Sequence, residues 1–289
     1  MTSGHLITEH PPVVVRHEPR RPYQEQAAYL RRRKLLQRVL AAGVPLALLS
    51  LWELAARAGW ADSRVFPAPT MIAEQAVELV RSGRLTGDAW ATLQRVLLGF
   101  PLGALAGIVL GIAMGLNPYV RSALELMLNG LYVVPKLALL PVFLSFLGFG
   151  EPPLVALIAT TVFFFVWIST MEAVATIPAG YHEAARSLGL GRVRTFTDVI
   201  IPAILPSVFV SLRVGANVAI LVIVAAEYIA TNTGLGFLIF NSRQLLINGW
   251  MYVGIATVAI LGVVLSSVIA GMGRLLTPWS QESRSRTSA

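Results

Sequence analysis

Residues 178–206 read PAGYHEAARSLGLGRVRTFTDVIIPAILP, a polar and charged segment set between two long apolar runs. Alanine, leucine, glutamate and arginine favour a helix over about residues 181–188. Gly189 and Gly191 then tolerate a left-handed backbone, which ends the helix and turns the chain. A second short helix is expected next, closed by Pro202 and Pro206. Such a segment must lie outside the bilayer, where another molecule can bind it.

The composition is that of a membrane protein. Hydrophobic residues make up 55% of the 289 residues and charged residues 13%, which is too apolar for a soluble domain of this length. The formal net charge is +8, but the arginines cluster beside apolar runs without a nucleic-acid-binding motif. We therefore expect contact with membrane lipid and none with nucleic acid. The lack of cysteine excludes disulfides and thiol catalysis.

Apolar stretches long enough to cross the hydrocarbon layer predict an all-α, polytopic membrane protein with six transmembrane helices. They lie at about residues 39–58, 93–115, 122–147, 153–171, 207–230 and 251–276. We divide the chain into a basic tail at 1–34, a six-helix domain at 35–276 that includes the loop 172–206, and a second tail at 277–289.

Positive charge predicts the orientation of these spans. Basic residues outside the spans concentrate in the amino-terminal tail, in the loop 172–206 and after the last span, whereas the opposite side carries few. Because positively charged loops stay in the cytoplasm, both termini and the loop 172–206 are predicted to be cytoplasmic. The chain is then a multi-pass protein of the cell (plasma or inner) membrane.

A short outer helix is predicted between the first two spans. Pro67 and Pro69 indicate a turn, and Thr70 stands where it could cap a helix over about residues 71–80. Two interpretations stay open. The helix is either a platform for an external partner or a connector lying on the membrane surface.

Five glycines recur at every fourth residue of the second predicted span, and this spacing places them on one helical face. They are Gly99, Gly103, Gly107, Gly111 and Gly115. Such a face lets another backbone approach closely, and close packing drives helix association in lipid. We predict a packing face within the bundle, with a ligand groove as the alternative.

Two further spans carry polar stripes. The stripe on the third span comprises Glu125, Asn129, Tyr132 and Lys136, and helical rise places Lys136 near mid-membrane. A lysine there needs a partner or a water-filled cavity, so Lys136 is predicted to line a pathway, with a structural ion pair as the alternative. Asn217 and Glu227 belong to a similar stripe on the fifth span.

The segment 178–206 resembles the cytoplasmic EAA loop of ABC importer permeases. Glu183, Ala184 and Ala185 are followed by three residues and Gly189, and after nine more by an aliphatic pair and Pro202. In that family the two helices of the loop dock into a groove on the ATP-hydrolysing subunit. The resemblance therefore implies that these five residues couple the chain to an ATPase.

Four other segments resemble the nitrate, sulfonate and taurine branch of these permeases, so that the likeness covers about residues 40–279. They are Thr92-Leu93 with Arg95-Val96-Leu97, Pro135-Lys136-Leu137-Ala138, Gly148-Phe149-Gly150-Glu151, and Ala226-Glu227-Tyr228 with Gly234-Leu235-Gly236. The resemblance implies the type I permease fold, also called MetI-like. Separately, the two polar stripes predict a pathway lined by Asn129, Tyr132, Lys136, Asn217 and Glu227.

The same resemblance implies the partners of the chain. They are a second permease copy, two ATP-binding subunits on the cytoplasmic face and an extracytoplasmic solute-binding protein. ATP and Mg²⁺ are then used by the partner subunits, and this chain holds no cofactor. The implied substrate is a small anion such as an aliphatic sulfonate, taurine or nitrate.

The chain itself is not expected to be an enzyme. Lys34 and Lys136 are its only lysines, and neither follows a phosphate-binding glycine loop. Arg186 stands where a zinc protease helix beginning at His182 needs its second histidine, so no metal or catalytic residue is predicted. One alternative is the same importer machinery for a neutral or cationic vitamin precursor, a pyrimidine or a flavin. Another is a secondary transporter, although the acidic mid-membrane residues and internal repeat typical of that class are not found.

Overall fold

The computed structural model describes residues 23–60, 62 and 64–280, so most of the predicted tails, 1–22 and 281–289, lies outside the described residues. The chain divides into two units, Met1–Ala55 and Ala56–Ala289. The first contains most of helix α1 (Tyr23–Arg57), whose apolar part, Leu35–Arg57, is long enough to cross a membrane.

The described part of the second unit is helical throughout its regular elements. They are α2 (Pro69–Arg81), α3 (Arg84–Leu116), α4 (Pro118–Val133), a 3₁₀ turn (Lys136–Leu139), α5 (Leu140–Leu147), α6 (Glu151–Ala175), α7 (Ala179–Ser187), α8 (Arg192–Thr195), a π turn (Phe196–Ile200), α9 (Ile201–Ala230), α10 (Leu235–Gln244) and α11 (Asn248–Leu276). Four segments of this unit are long and apolar enough to cross a membrane: α3, α6, α11 and the run Arg192–Ala230. The apolar part of α1 is a fifth such segment. The all-α membrane class is confirmed.

The predicted third span is not one continuous helix, which corrects the sequence interpretation. The axes of α4 and of the segment Lys136–Leu147 differ in direction by 97°. Pro135 explains the break, because proline lacks an N–H group and keeps the preceding residue out of helical geometry. Val134 accordingly has φ −61° and ψ 125°. The count of spans reaches six only if these two bent pieces cross together.

The glycine face of α3 packs directly on α6, as the sequence predicts. A Cβ atom on Gly107 would lie 2.8 Å from the carbonyl oxygen of Phe163, and one on Gly111 would lie 2.7 Å from Cβ of Thr170. Neither position has room for a side chain. The absence of side chains thus brings the two helix backbones together at the centre of the bundle.

The main apolar core lies where α6 packs against both α9 and α3. Its members are fully buried and include Leu154, Leu157, Ile158, Val162 and Val166 of α6 with Ala219, Ile220 and Ile223 of α9. Since lipid supplies no hydrophobic drive between spans, this interdigitation of branched side chains is what orders the three central helices.

Helix α2 packs against the bundle through its apolar face. Leu79 is 1% exposed and lies in a buried cluster with Leu235, Leu238 and Val253 of α10 and α11. The prediction of Thr70 as cap is wrong, because the helix begins at Pro69, two residues earlier than predicted, and Ala68 occupies the capping position. The Thr70 hydroxyl instead accepts a hydrogen bond from the Arg57 guanidinium at 3.3 Å.

Candidate functional site

Helix α7 ends in the turn that the sequence predicts at Gly189. The Leu190 N–H donates to the Ala185 carbonyl at 3.0 Å, and the Gly189 N–H donates to the Arg186 carbonyl at 3.0 Å. This pair of bonds is a Schellman motif, which requires a left-handed residue. Gly189 has φ +69°, whereas Gly191 has φ −71° and needs no special conformation.

The second part of the segment differs from the prediction. The short helix after Gly191 is not closed by Pro202 and Pro206 but runs through the π turn into α9 as one 39-residue stretch, Arg192–Ala230. Because Pro206 has no N–H group, the carbonyl of Pro202 lacks its usual helical donor. The indole Nε1 of Trp279 donates to this carbonyl at 3.3 Å. Trp279, three residues beyond the end of α11, thereby contacts the start of α9.

The segment places its predicted coupling residues on two sides. Glu183 and Ala184 are exposed, whereas Ala185 is 2% exposed on a helix that contacts the π turn. Three apolar side chains of the same segment face outward, and we call them the coupling surface. They are Tyr181, Leu188 and Val193, which are 55%, 76% and 76% exposed.

The ammonium group of Lys136 closes the broken end of α4. Its Nζ donates to the carbonyl oxygens of Leu131, Tyr132 and Val134 at 3.0, 2.8 and 3.0 Å. It also lies 4.2 Å from the centre of the Phe164 ring, a distance at which a cation is attracted to the ring face. The lysine therefore satisfies backbone groups that the Pro135 break leaves free, an arrangement that the sequence analysis did not predict.

The other predicted pathway residues are distributed over two helices. Asn129 on α4 and Asn217 on α9 have exposed side chains, and Tyr132 is half-buried with its ring centre 6.2 Å from that of Phe164. The structure thus brings Tyr132 and Lys136 together. It places Glu227 elsewhere, completely buried among residues of the same chain, so this carboxylate faces no open passage here.

Glu227 belongs instead to a buried ionic network centred on Arg95. The Arg95 guanidinium donates to Glu227 at 2.7 Å, with 1% and 0% of the two side chains exposed. On its other edge it binds both carboxylate oxygens of Glu151, at 2.6 and 2.8 Å. It also donates to the carbonyl and hydroxyl oxygens of Thr233 at 3.0 and 2.9 Å. One arginine therefore joins α3, α6, α9 and the loop before α10.

The same network holds the first turn of α10. The N–H groups of Gly234, Leu235 and Gly236 donate to side-chain oxygens at 2.9, 2.9 and 2.8 Å. Their acceptors are Asp88, Thr92 and Glu227, in that order. We call Asp88, Thr92, Arg95, Glu151, Glu227 and Thr233 the Arg95 cluster. The sequence held a signal for it, because Asp88, Thr92 and Arg95 share one helical face and an arginine inside a span needs an anionic partner.

The long apolar helices, with the short helices α7 and α8 between two of them, define a multi-pass membrane protein. The chain belongs to the family of binding-protein-dependent transport system inner membrane components, whose family model matches residues 100–281. It is thus a permease subunit of an ABC importer, a class that works with ATP-binding subunits and a binding protein and is not itself typically catalytic.

Two curated relatives and one solved structure show the extent of the likeness. The taurine transport system permease protein of Escherichia coli (strain K12) is 33% identical over 85% of this chain and 91% of its own. The nitrate import permease protein of Leptolyngbya laminosa is 30% identical over 91% and 98%. The inward-facing MetNI methionine ABC transporter has a chain that matches with a TM-score of 0.59 and 18% identity, covering 67% of this chain and 95% of that one.

Proposed function

We propose that two identical copies of this chain form the pathway of an importer for a small anion, such as taurine or another sulfonate, or nitrate. An extracytoplasmic binding protein delivers the solute, and two ATP-binding subunits use ATP and Mg²⁺ on the cytoplasmic face. Both termini and the α7–α8 segment lie in the cytoplasm. The chain itself contributes no catalytic residue and no cofactor or metal site.

The observation that carries this proposal is the coupling surface. Exposed apolar side chains outside a lipid-facing span indicate a protein contact, because moving them from water into an interface is favourable in free energy. The left-handed turn at Gly189 separates Leu188 from Val193 and fixes their relative directions. Glu183 and Ala184 lie exposed on the preceding helix, while Ala185, Gly189 and Pro202 fix the geometry of the segment. This arrangement suits a groove on an ATP-binding subunit.

Co-purification tests the coupling surface directly. Leu188→Asp and Val193→Asp are each expected to reduce recovery of the ATP-binding subunit with a tagged permease, since a charge would enter an apolar contact. Phe149→Asp is the matched control, because Phe149 is 89% exposed but lies in the α5–α6 connection. Full recovery with both coupling-surface variants would contradict the proposal.

The substrate proposal rests on what the two relatives are named for and on a cation beside the predicted pathway. We place Asn129, Tyr132, Lys136 and Asn217 along that pathway and assign Glu227 to the Arg95 cluster. The bonds that Lys136 makes to carbonyl oxygens do not remove its positive charge, which would attract an anion within a low-dielectric passage.

Reconstituted permease, ATP-binding subunit and binding protein test the substrate. Taurine, an alkanesulfonate or nitrate is expected to stimulate ATP hydrolysis, and a neutral pyrimidine or a flavin is not. Stimulation by the pyrimidine or flavin alone would assign the chain to the alternative substrate class. ATP-independent uptake by the permease alone would instead indicate a secondary transporter.

A further inference from the structure

The start of α10 is held entirely by groups from outside the helix. No side chain at its own amino terminus makes a capping bond, and Gly234 has φ 108°. The three N–H groups of the first turn use Asp88 and Thr92 of α3 and Glu227 of α9 instead. Because free N–H groups are costly away from water, α10 cannot leave these acceptors without a new set of partners.

The Arg95 cluster has a buried layer and an accessible layer. Arg95 and Glu227 are almost completely buried, so removing either partner leaves a charge without compensation. Glu151, by contrast, is 61% exposed while both of its carboxylate oxygens bind Arg95. It stands at the first residue of α6, after a connection in which Gly148 and Gly150 have φ +74° and +120°. The accessible contact therefore joins α6 to Arg95 of α3, which in turn binds Thr233 of the α9–α10 connection, at a place where the backbone can rearrange.

We propose that Arg95 is a positioning residue for an outer gate formed by α10. The Glu151–Arg95 contact breaks when the first residue of α6 separates from Arg95 and the α9–α10 connection, and Arg95 stays paired with Glu227 throughout. The gate rests on the proposed orientation, which puts α10 on the outer side. The network itself does not depend on the substrate, so it can be tested without substrate.

The chain offers a reporter for this motion. Ser242 lies on α10, is 0% exposed, and its hydroxyl has no hydrogen-bond partner among the described residues. Ser242→Cys is therefore a close fit in volume and breaks no side-chain bond. Because the sequence has no cysteine, the new thiol is the only one in the chain. Its labelling by a water-soluble maleimide measures how often α10 opens.

The experiment compares labelling rates in the assembled complex. Glu151→Gln is expected to raise the rate about fivefold, the factor that corresponds to the loss of about 1 kcal/mol from a partly exposed ion pair. Glu125→Gln is the matched control, because Glu125 pairs with Arg121 at 3.0 Å within α4 and ties no two helices together. It should leave the rate unchanged. Equal rates in both variants would overturn the proposal.

The single variant Arg95→Lys and the double variant with Glu151→Gln distinguish a positioning role of Arg95 from a general effect on stability. In an Arg95→Lys background, which cannot bind both carboxylate oxygens side by side, Glu151→Gln should add little to the labelling rate. Full additivity would show that the two residues act independently and would refute the gate. If Arg95→Lys does not assemble, the comparison of Glu151→Gln with Glu125→Gln still decides.

The last measurement concerns coupling. Loss of the Glu151 contact should raise ATP hydrolysis in the absence of binding protein, because less energy is needed to leave the resting state, while the KM for ATP stays unchanged. A raised KM, or unchanged hydrolysis beside faster labelling, would contradict a role in positioning the gate. Labelling from the cytoplasmic side alone, with an impermeant reagent, would refute the orientation while leaving the network intact.

Discussion

Replacement of Gly189 by valine tests whether the turn after α7 transmits force. A Cβ atom at Gly189 would meet no atom within 4 Å, so the substitution creates no clash. Its entire effect lies in the backbone, because φ +69° is a region that side chains disfavour by about 1–2 kcal/mol, and a β-branched residue by more.

The chain can respond in two ways, and their magnitudes are similar. It can keep the turn at a cost of about 2 kcal/mol, or it can leave the left-handed region and lose the two Schellman bonds, each contributing about 1 kcal/mol. The strain therefore lowers the equilibrium constant between the formed and the lost turn by a factor on the order of 30, so that the two states become comparably populated. Substrate-stimulated ATP hydrolysis and uptake should fall together, while the spans remain inserted.

A series of substitutions at position 189 tests whether the left-handed backbone conformation is the cause. Gly189→Asn should cost least, because asparagine tolerates the left-handed region, and Gly189→Ala should lie between asparagine and valine. Gly191→Val is the matched control, since Gly191 also has open space around it but has φ −71°. Wild-type uptake in Gly189→Val, or an equal loss in Gly191→Val, would refute the reasoning.

Substitutions at Lys136 and at Gly107 test the membrane-embedded features. Lys136→Met should reduce transport because the carbonyls at the α4 break lose three charged hydrogen bonds, and Lys136→Arg should separate the two roles. Retained uptake with arginine indicates that charge alone matters, whereas loss with arginine indicates that the ammonium geometry holds the bend. Gly107→Ala should destabilise the purified permease by about 1–3 kcal/mol through overpacking against α6, as measured by thermal unfolding. Gly130→Ala, with no atom within 4 Å of its added Cβ, should be neutral.

Local features of this protein could be predicted from its sequence. The glycine spacing identified the packing face of α3 because helical period alone decides which residues share a face. The left-handed turn at Gly189 followed from the glycine after a helix-forming stretch. Both depend on residues that are neighbours in the chain, so that no knowledge of the remaining fold was needed.

Long-range features could not be predicted in the same way. Arg95 binds groups 56, 132 and 138 residues away, and no periodicity connects such distant positions. Glu227 was assigned to the pathway because helical period reports a shared face but not what covers it. Pro135 indicates that the third span bends. The 97° angle of that bend, however, depends on where the 3₁₀ turn Lys136–Leu139 packs against α6. The pathway and coupling assignments themselves stay predictions.

The close contact between α3 and α6 restricts where the permease can move. Helices that touch over four turns, with only glycine on the α3 side of the contact, cannot slide or rotate against each other without steric overlap. The α3–α6 pair must therefore move as one rigid body. Any change of access between the two membrane faces then requires backbone rearrangement at the ends of this pair. The flexible points left for that motion are the glycine-flanked connection before α6, the break at Pro135 and the turn at Gly234, which form a set of hinges around a fixed centre.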